Sequence, residues 1–284
     1  MIETMKKADP TLCISHVCAL FDIPLSTYYD GIARPNFTEE ETKIMNNIIK
    51  ISSDTYQTYG SRRIRDTLND DGIKIGRFKT RRLMKVAGIK VVYPKKKHRY
   101  PPDELSNKAP ELLNRQFNPA TLNTHWVGDI TYIRTHHGWS YLACVLDLAT
   151  REVVGYALSK HPDAKLAKDA LMNAIRKHNP DTTKLIFHSD QGVQYSAKLF
   201  TNTLRMLKIT QSMSRRGNCW DNAVMERFFR SLKGERLDYL SFINHEAVVP
   251  VVESYIRFYN YKRISSVLNY QTPAKRRETL KKAA

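Results

Sequence analysis

Residues 126–158 read WVGDITYIRTHHGWSYLACVLDLATREVVGYAL. This stretch contains three runs rich in β-branched and aromatic residues, at 126–133, 141–148 and 153–158. The first two runs are separated by the turn sequence His136-His137-Gly138. Successive strand patterns with such short links predict an antiparallel meander of three strands.

Downstream of this stretch, strand patterns alternate with helical ones. Helical periodicity covers 163–177 and 197–207, and short apolar strands are predicted at 185–188 and 209–213. Strands that alternate with helices pair in parallel. The sequence therefore predicts an α/β fold with a mixed five-stranded sheet and flanking helices. This is a ribonuclease-H-like arrangement, although periodicity alone is also compatible with other mixed sheets.

The charge of the chain indicates a polyanionic partner. The 284 residues include 46 Lys and Arg but 28 Asp and Glu, which gives a net charge of +18. Nucleic acid is the simplest partner for such a chain, although basic ribosomal and membrane-surface proteins share the bias. More than half of the excess lies in residues 51–100, which contain 14 basic and 4 acidic residues, a net charge of +10.

That basic window has the pattern of two helices joined by a short turn. The first helix is predicted to start at Ser61, as its cap, and to end before Asp71-Gly72; the second covers 77–87, before Gly88. A helix-turn-helix of this kind would read DNA with its second helix. A solvated basic face on a small helical domain is the alternative. The side chains predicted to contact DNA here are Arg62, Arg63, Arg77, Lys79, Arg81, Arg82 and Lys85.

The rest of the N-terminal half completes the predicted organisation. Residues 12–29 have a similar two-helix outline, with Ser26 capping the second helix, but a slightly negative charge makes DNA binding a weaker inference there. Thr38 and Glu41 form a capping-box pattern before a connecting helix. The predicted units are 1–37 (helix-turn-helix-like), 38–92 (basic helix-turn-helix), 93–120 (basic, proline-containing linker), 121–240 (catalytic core) and 241–284 (C-terminal helix and basic tail). In the linker, Lys95, Lys96 and Lys97 are predicted to lie along phosphates.

Several classes of protein lack support in the sequence. The four cysteines, at 13, 18, 144 and 219, form no zinc-binding pattern and fit a reducing cytosol. No secretory leader pattern opens the sequence, and no apolar run approaches the roughly 18 residues of a membrane span. No P-loop motif is present, so the sequence gives no sign of ATP use.

Three carboxylates stand out by their positions. Asp129 lies inside an apolar strand, where aspartate is rare. Asp190, in HSDQGVQY (188–195), directly follows a buried strand, where ligands of α/β sheets gather. Glu226 lies on a predicted helix in DNAVMERFFRSLK (221–233). Each also has an ordinary explanation: a strand-end aspartate bonded to backbone, a turn aspartate, and an ion-pair ladder of Glu226 with Arg230 and Lys233.

Together, the carboxylates and their flanking sequences resemble the DDE transposase and retroviral-integrase superfamily. The sequence is most similar to the second-frame transposases of bacterial insertion sequences with an integrase-type catalytic core. Thirty-five residues separate Asp190 from Glu226, as in the D,D(35)E pattern. The resemblance covers about residues 10–276. The matching sequence motifs are W-x-x-D-I-T-Y, H-S-D-x-G-x-Q-Y, D-N-A-x-x-E-R-F-F-x-x-L-K, YGSRRI at 59–64, and the closing Y-N-x-x-R and T-P-A.

The resemblance implies a Mg²⁺-dependent DNA transposase. Asp129, Asp190 and Glu226 would be its catalytic residues and would hold two Mg²⁺ ions, with Mn²⁺ as a substitute. Two such ions, about 3.5–4 Å apart, stabilise both the attacking and the leaving oxygen of a phosphodiester. The reaction would be 3′-end cleavage followed by strand transfer, without a covalent protein intermediate. Lys233 and Arg230 would contact DNA near the cut, and Asn222 would contact DNA or cap its helix.

The resemblance also implies partners and a location. The DNA partners would be the terminal inverted repeats and the target, bound by at least a dimer. An upstream-frame helix-turn-helix product is a further expected partner, and the location would be the bacterial cytoplasm, at the nucleoid. Two alternatives remain open: a transposase-derived, sequence-specific DNA-binding protein without catalysis, and a tyrosine recombinase that uses one of the fifteen tyrosines.

Overall fold

The computed structural model describes residues 2–33, 37–92, 109–113, 117–214 and 222–283. Its strands form one mixed sheet with the order β3-β2-β1-β4-β5. β1 to β3 pair antiparallel, whereas β4 pairs in parallel with both β1 and β5. The predicted mixed five-stranded sheet is confirmed. The strands are β1 (His125–Thr135), β2 (Gly138–Asp147), β3 (Val153–Ser159), β4 (Ile186–Ser189) and β5 (Thr210–Met213).

The hairpin between β1 and β2 is tighter than the sequence predicted. β2 begins at Gly138 rather than at residue 141, because Thr135 pairs directly with Gly138 and only two residues form the turn. The φ angle of Gly138 is +119°, which a glycine adopts without a steric penalty. The backbone N–H groups of His136 and His137 donate to the carbonyls of Phe242 and Ile243, so the tip is tied to the C-terminal region.

Each face of the sheet is covered by helices. Trp126 and Phe187 belong to one apolar core together with Leu171 and Phe200 of the helices on that face. Val127 belongs to the core on the opposite face, which includes residues of α10 and α11. The helices that follow β3 are α7 (Ala164–His178), α8 (Val193–Ser196), α9 (Lys198–Met206), α10 (Ala223–Glu235), α11 (His245–Tyr261) and α12 (Pro273–Ala283).

The N-terminal region is helical, and the predicted all-α, helix-turn-helix-like region is confirmed. Its capping differs in detail, because Gly60 precedes α5 without a side-chain bond and Ser61 is already helical. Ser26 likewise lies inside α3, after Leu25. The helices are α1 (Ile2–Ala8), α2 (Ile14–Leu20), α3 (Leu25–Ala33), α4 (Glu39–Asp54), α5 (Ser61–Asp70) and α6 (Arg77–Val86).

The capping box predicted before α4 is half formed. Thr38 Oγ1 accepts a hydrogen bond from the backbone N–H of Glu41, at 3.1 Å. The Glu41 carboxylate forms ion pairs with Lys79 and Arg82 of α6. The residue that would have closed the box therefore joins α4 to α6.

Helices α4 to α6 share an apolar core with the sheet and the C-terminal helices. Ile48 and Leu83 belong to the same cluster as Phe228 of α10 and Val252 of α11. The buried Tyr59 hydroxyl donates to the carbonyl of Lys262, at 3.3 Å, and accepts from the N–H of Ile264, at 2.8 Å. The predicted domain boundaries stay a prediction, but these contacts fix α5 against the C-terminal region. Within the described ranges, we find no helix with the length and apolarity that crossing a bilayer demands.

Candidate active site

Asp129 and Asp190 lie on neighbouring parallel strands. Gly128 of β1 is paired with Ser189 at the end of β4, and each aspartate is the next residue along its strand. The side chain of Asp129 lies on the sheet face that is covered by α10, since its cross-strand partner Cys144 belongs to the core on that face. The sheet topology therefore brings together two carboxylates that are far apart in the sequence.

Asp129 is held by two hydrogen bonds. Its Oδ1 accepts from the backbone N–H of Ile130, at 2.7 Å, and its Oδ2 accepts from the amide Nδ2 of Asn222, at 3.1 Å. Burial, followed by repulsion from Asp190 and, more weakly, Glu226, raises the pKa of Asp129 to about 8. A carboxyl group with this environment needs a proton or a cation to offset its charge.

Asp190 combines a turn contact with proximity to the same site. Its Oδ1 accepts from the backbone N–H of Gly192, at 3.0 Å, so the ordinary turn role considered from sequence is also present. Burial and the two aspartates raise the pKa of the Tyr195 hydroxyl well above its usual value. Tyr195 is 2% exposed and packs with Phe187 and Phe200. Tyr195 belongs to the apolar core on the other face of the sheet, and its hydroxyl is within the electrostatic influence of both aspartates.

Glu226 lies in the first turn of α10, on the exposed side of the helix. The helix faces the core with Met225, Phe228 and Leu232, as the helical spacing of the apolar residues in 221–233 predicts. Partial burial raises the pKa of Glu226. In the described part of the chain, Glu226 forms no ion pair with Arg230, so the predicted alternative of an ion-pair ladder is not observed.

The structure brings two of the three predicted ligands together more closely than the third. Among the described residues, no three Asp, Glu, His or Cys side chains are arranged to hold one metal ion. The donor chemistry nevertheless fits a hard divalent cation, because Asp129 inside β1 and Asp190 directly after β4 provide carboxylate oxygens on neighbouring chain segments. The amide Oδ1 of Asn222, next to Asp129, is also a buried acceptor that has no hydrogen-bond partner among the described residues.

Asn222 has a different role from the predicted cap. It occupies the N-cap position of α10, but its side chain makes no capping bond and donates to Asp129 instead. At 7% exposure it offers little surface to DNA. The sequence motif pointed to this residue, but only the folded chain reveals its aspartate partner.

His188 is an internal structural residue. It is fully buried at the end of β4, and its ring nitrogens lie 2.9 and 3.1 Å from the hydroxyl oxygens of Ser212 and Ser214. These contacts tie the strand that presents Asp190 to β5 and to the residue that follows it.

The basic residues predicted to bind DNA fall into four groups. Lys79 and Arg82 are engaged with Glu41. Lys95, Lys96 and Lys97 lie outside the described residues. Those with exposed side chains are Arg62, Arg77, Arg81, Lys85 and Arg230, whereas Arg63 and Lys233 are partly buried.

Comparisons with known proteins agree with the helical region and the sheet. Residues 39–97 match the HTH-like domain family, and residues 120–219 and 207–273 match two integrase core domain families. A Shigella sonnei protein described as "Insertion element IS600 uncharacterized 31 kDa protein" is 36% identical over 269 residues, which cover 92% of this chain and 97% of the relative. The "putative transposase InsK for insertion sequence element IS150" of Escherichia coli K12 is 35% identical over 89% of each chain. The chain belongs to the insertion-sequence transposase family.

A third member of the transposase family is similar over most of its length. The transposase for insertion sequence element IS904 of Lactococcus lactis is 34% identical over 84% of this chain and 96% of that protein. Among solved structures, the catalytic core domain of HTLV-2 integrase in complex with magnesium is 16% identical. It covers 54% of this chain and 95% of that domain, with a TM-score of 0.44.

Proposed function

We propose that this family member is a DNA transposase that cleaves the 3′ ends of its insertion element and joins them to target DNA in a Mg²⁺-dependent reaction. The juxtaposition of Asp129 and Asp190 on adjacent parallel strands carries the proposal. Burial, together with the charge of Asp190, raises the pKa of Asp129, and such a pair of half-buried carboxylates is unfavourable in a purely structural site. Such a pair suits a site that binds cations.

Asp129, Asp190 and Glu226 are the proposed metal ligands. When bound, a pair of Mg²⁺ or Mn²⁺ ions supplies Lewis-acid stabilisation to the attacking and leaving oxygens. Asn222 orients Asp129 through the hydrogen bond to Oδ2. Glu226 contributes from α10, the helix that also provides Asn222 at its start.

The proposed reaction has two transfers of the same kind. In the first, water attacks the phosphodiester at the element's end, so that one P–O bond forms and the bond to the 3′ oxygen breaks. The freed 3′-hydroxyl then attacks a phosphodiester of the target, and a new 3′–5′ linkage replaces the broken one. Arg230 and Lys233 lie on α10 one and two turns beyond Glu226 and would bind the neighbouring phosphates.

The proposed partners follow from this reaction. The DNA would comprise the terminal inverted repeats, read by α5 and α6, and a target duplex. At least two protomers would hold two ends, and an upstream-frame helix-turn-helix product would assist. No ATP is needed, since the first step hydrolyses a phosphodiester bond and the second replaces one phosphodiester bond by another. The location would be the bacterial cytoplasm, at the nucleoid.

The experiment is a strand-cleavage and joining assay on DNA from the border of the element, with Asp190→Asn and the matched control Asp181→Asn. Asp181 caps a short turn far from the site and is exposed. We expect Asp190→Asn to lower the cleavage rate by about a thousandfold or more, and Asp181→Asn to leave it unchanged.

Wild-type rates in folded Asp190→Asn would contradict the proposal. Specific binding by the wild-type protein without cleavage in Mg²⁺ or Mn²⁺ would favour the DNA-binding regulator. A trapped covalent adduct between a tyrosine and DNA would favour the recombinase.

A further inference from the structure

A cleft of about 710 Å³ lies between the start of α5 and the outer side of α10. Its lining combines residues of the helix-turn-helix region, of the helix that carries Glu226, and of the segment after α11. Six arginines line it: Arg62, Arg63, Arg77, Arg227, Arg230 and Arg263. Its only acidic lining residue in the described part of the chain is Glu235.

The carboxylate of Glu235 already accepts hydrogen bonds from other side chains of the protein. Glu235 accepts two hydrogen bonds from the guanidinium of Arg263, at 2.7 and 2.8 Å, and a third from the Tyr255 hydroxyl, at 2.8 Å. Arg263 also reaches Ser231, at 3.3 Å. This buried network braces α10 against α11, and the hydrogen bonds of Glu235 in it go to Arg263 and Tyr255 rather than to the other five arginines.

Those five arginines have no ion-pair partner among the described residues. Arg63 stacks over the ring of Tyr59, with its guanidinium carbon 5.2 Å from the ring centroid. Burial and the nearby positive charge of Arg263 lower the pKa of Arg63, against the opposing effect of Glu235. A cleft lined by six arginines and a single carboxylate has an excess of positive charge that an entering anion would offset.

The helix starts at the cleft are also unfavourable without an anion. Arg62 and Arg63 lie in the first turn of α5, and Arg77 begins α6. Neither first turn contains an acidic residue, and neither N-cap provides a side-chain hydrogen bond. Positive side chains destabilise the positive end of a helix, whereas phosphate stabilises it. The arginines and both helix ends therefore select the same kind of ligand.

We propose that this cleft binds the phosphate backbone of one DNA strand, which runs from the helix-turn-helix of a chain to α10 of the same chain. The inference rests on the proposed function, because it takes DNA as the ligand. An extended polyanion fits better than a single phosphate, since the arginines are spread over α5, α6 and α10. Arg227 is then a phosphate-binding residue, adjacent in sequence to Glu226, and the strand bound by the reading helices is presented to the same chain's catalytic helix.

The experiment measures binding to a mixed-sequence duplex of about 30 base pairs, in EDTA, over a range of salt concentrations. The variants are Arg227→Gln, Arg230→Gln and the control Arg205→Gln, which removes an exposed arginine of α9 on the opposite face of the sheet. We expect each cleft variant to lower the slope of log K against log salt by about one, and to weaken binding several-fold at about 0.15 M salt. Arg205→Gln should retain the wild-type slope.

Wild-type slopes in both cleft variants would overturn the proposal, as would equal losses in all three. Thermal unfolding checks that each variant is folded. Because residues 227 and 230 are exposed, we expect their substitution to leave the fold intact. Because no cleavage occurs in EDTA, this result is independent of the catalytic assay. A protein that cleaves DNA but shows unaltered slopes would refute the cleft alone, and one with altered slopes but no cleavage would refute only the proposed activity.

Discussion

Asn222 illustrates how a single side chain can position one of the proposed metal ligands. Its amide nitrogen donates to Asp129, while its amide oxygen is buried and has no partner within the described part of the chain. Groups that orient metal ligands commonly affect metal affinity about as strongly as weak ligands do. We therefore predict that Asn222→Ala raises the Mg²⁺ concentration for half-maximal cleavage by about tenfold or more.

The control for this prediction is Asn173→Ala. Asn173 also donates its side-chain amide to the protein, to the carbonyl of Tyr156 at 3.0 Å, but it lies on α7. Titration of cleavage with Mg²⁺ checks both variants. Superimposable Mg²⁺ curves for Asn222→Ala and the wild type would show that the hydrogen bond to Asp129 has no positioning role.

His178 links stability to pH. Burial, aided by the positive charges of Arg277, Lys177 and Lys281, lowers the pKa of His178 to about 3, although Glu152 lies 3.9 Å away. An unfolded histidine titrates near 6.5, so below that pH only the unfolded chain takes up the proton. We predict that the free energy of unfolding falls between pH 7 and pH 5, by about 1–2 kcal/mol from this residue.

Urea unfolding of the wild type and His178→Gln at the two pH values checks this origin of the pH dependence. The variant should lose less stability than the wild type on acidification, because glutamine takes up no proton. An equal loss in both proteins would assign the effect to other groups.

At the scale of elements, α6 has a buried apolar side and an exposed basic side. Leu83 is fully buried, whereas Phe78, which is also apolar, is 86% exposed. Arg81 is exposed without an ion pair among the described residues, but Arg82 is paired with Glu41 of α4. The structure thus separates two neighbouring arginines that look equivalent in the sequence.

This separation predicts unequal effects on DNA binding. Arg81→Ala should lower the slope of log K against log salt by about one, the value expected for the loss of one phosphate contact. Arg82→Ala should lower this slope by less, because Glu41 already partly neutralises the charge of Arg82. Binding isotherms at several salt concentrations make the comparison. Equal slopes for the two variants would mean that the ion pair with Glu41 does not reduce the contribution of Arg82 to DNA binding.

Gly155 marks the close packing of β3 on α7. A Cβ atom there would lie 2.4 Å from the carbonyl oxygen of Ala170 and 2.5 Å from the Cβ of Ala174. We predict that Gly155→Ala lowers the free energy of unfolding by about 1–3 kcal/mol through overpacking. Gly76→Ala, where a Cβ meets no atom within 4 Å, is the control and should cost much less. A similar loss in both variants by denaturant unfolding would contradict the packing argument.

The elements were predictable from sequence where their periodicity is strong. The strands around Asp129 and the apolar stripe of α10 emerged from local patterns, because alternation and helical spacing report directly on burial. Helix starts at Ser61 and Ser26 were misplaced by one residue or more, since a serine can begin a helix as well as cap it. The partners of Asn222 and Glu41 depend on how distant elements pack, and no local pattern contains that information.

At the scale of the whole molecule, the helix-turn-helix region and the integrase-like core are joined through one apolar cluster. Tyr56 packs edge-on against Phe258 of α11, with ring centroids 5.0 Å apart, and Tyr59 bonds to the backbone at Lys262 and Ile264. These contacts hold α5 beside α10 and so define the arginine-lined cleft. The closing sequence motif around residues 259–263 therefore has a structural role, because it forms the contact surface for the helix-turn-helix region.

The main requirement of the proposed chemistry also concerns the whole molecule, because its three carboxylates come from separate elements. Asp129 and Asp190 are aligned by the sheet, whereas Glu226 depends on the placement of α10 against it. Three oxygen ligands must act on the same pair of ions for the proposed cleavage to occur. Cation binding would favour their approach, since it offsets the repulsion that raises the pKa of Asp129.

Anomalous diffraction from crystals of the protein grown with Mn²⁺ tests this requirement directly. We predict Mn²⁺ between Asp129 and Asp190, with carboxylate oxygens at about 2.0–2.4 Å and Glu226 bound to at least one ion. Asp190→Asn crystals treated identically should lose this density. Fully loaded crystals with no Mn²⁺ at these carboxylates, or with Glu226 remaining outside the metal site, would contradict the account.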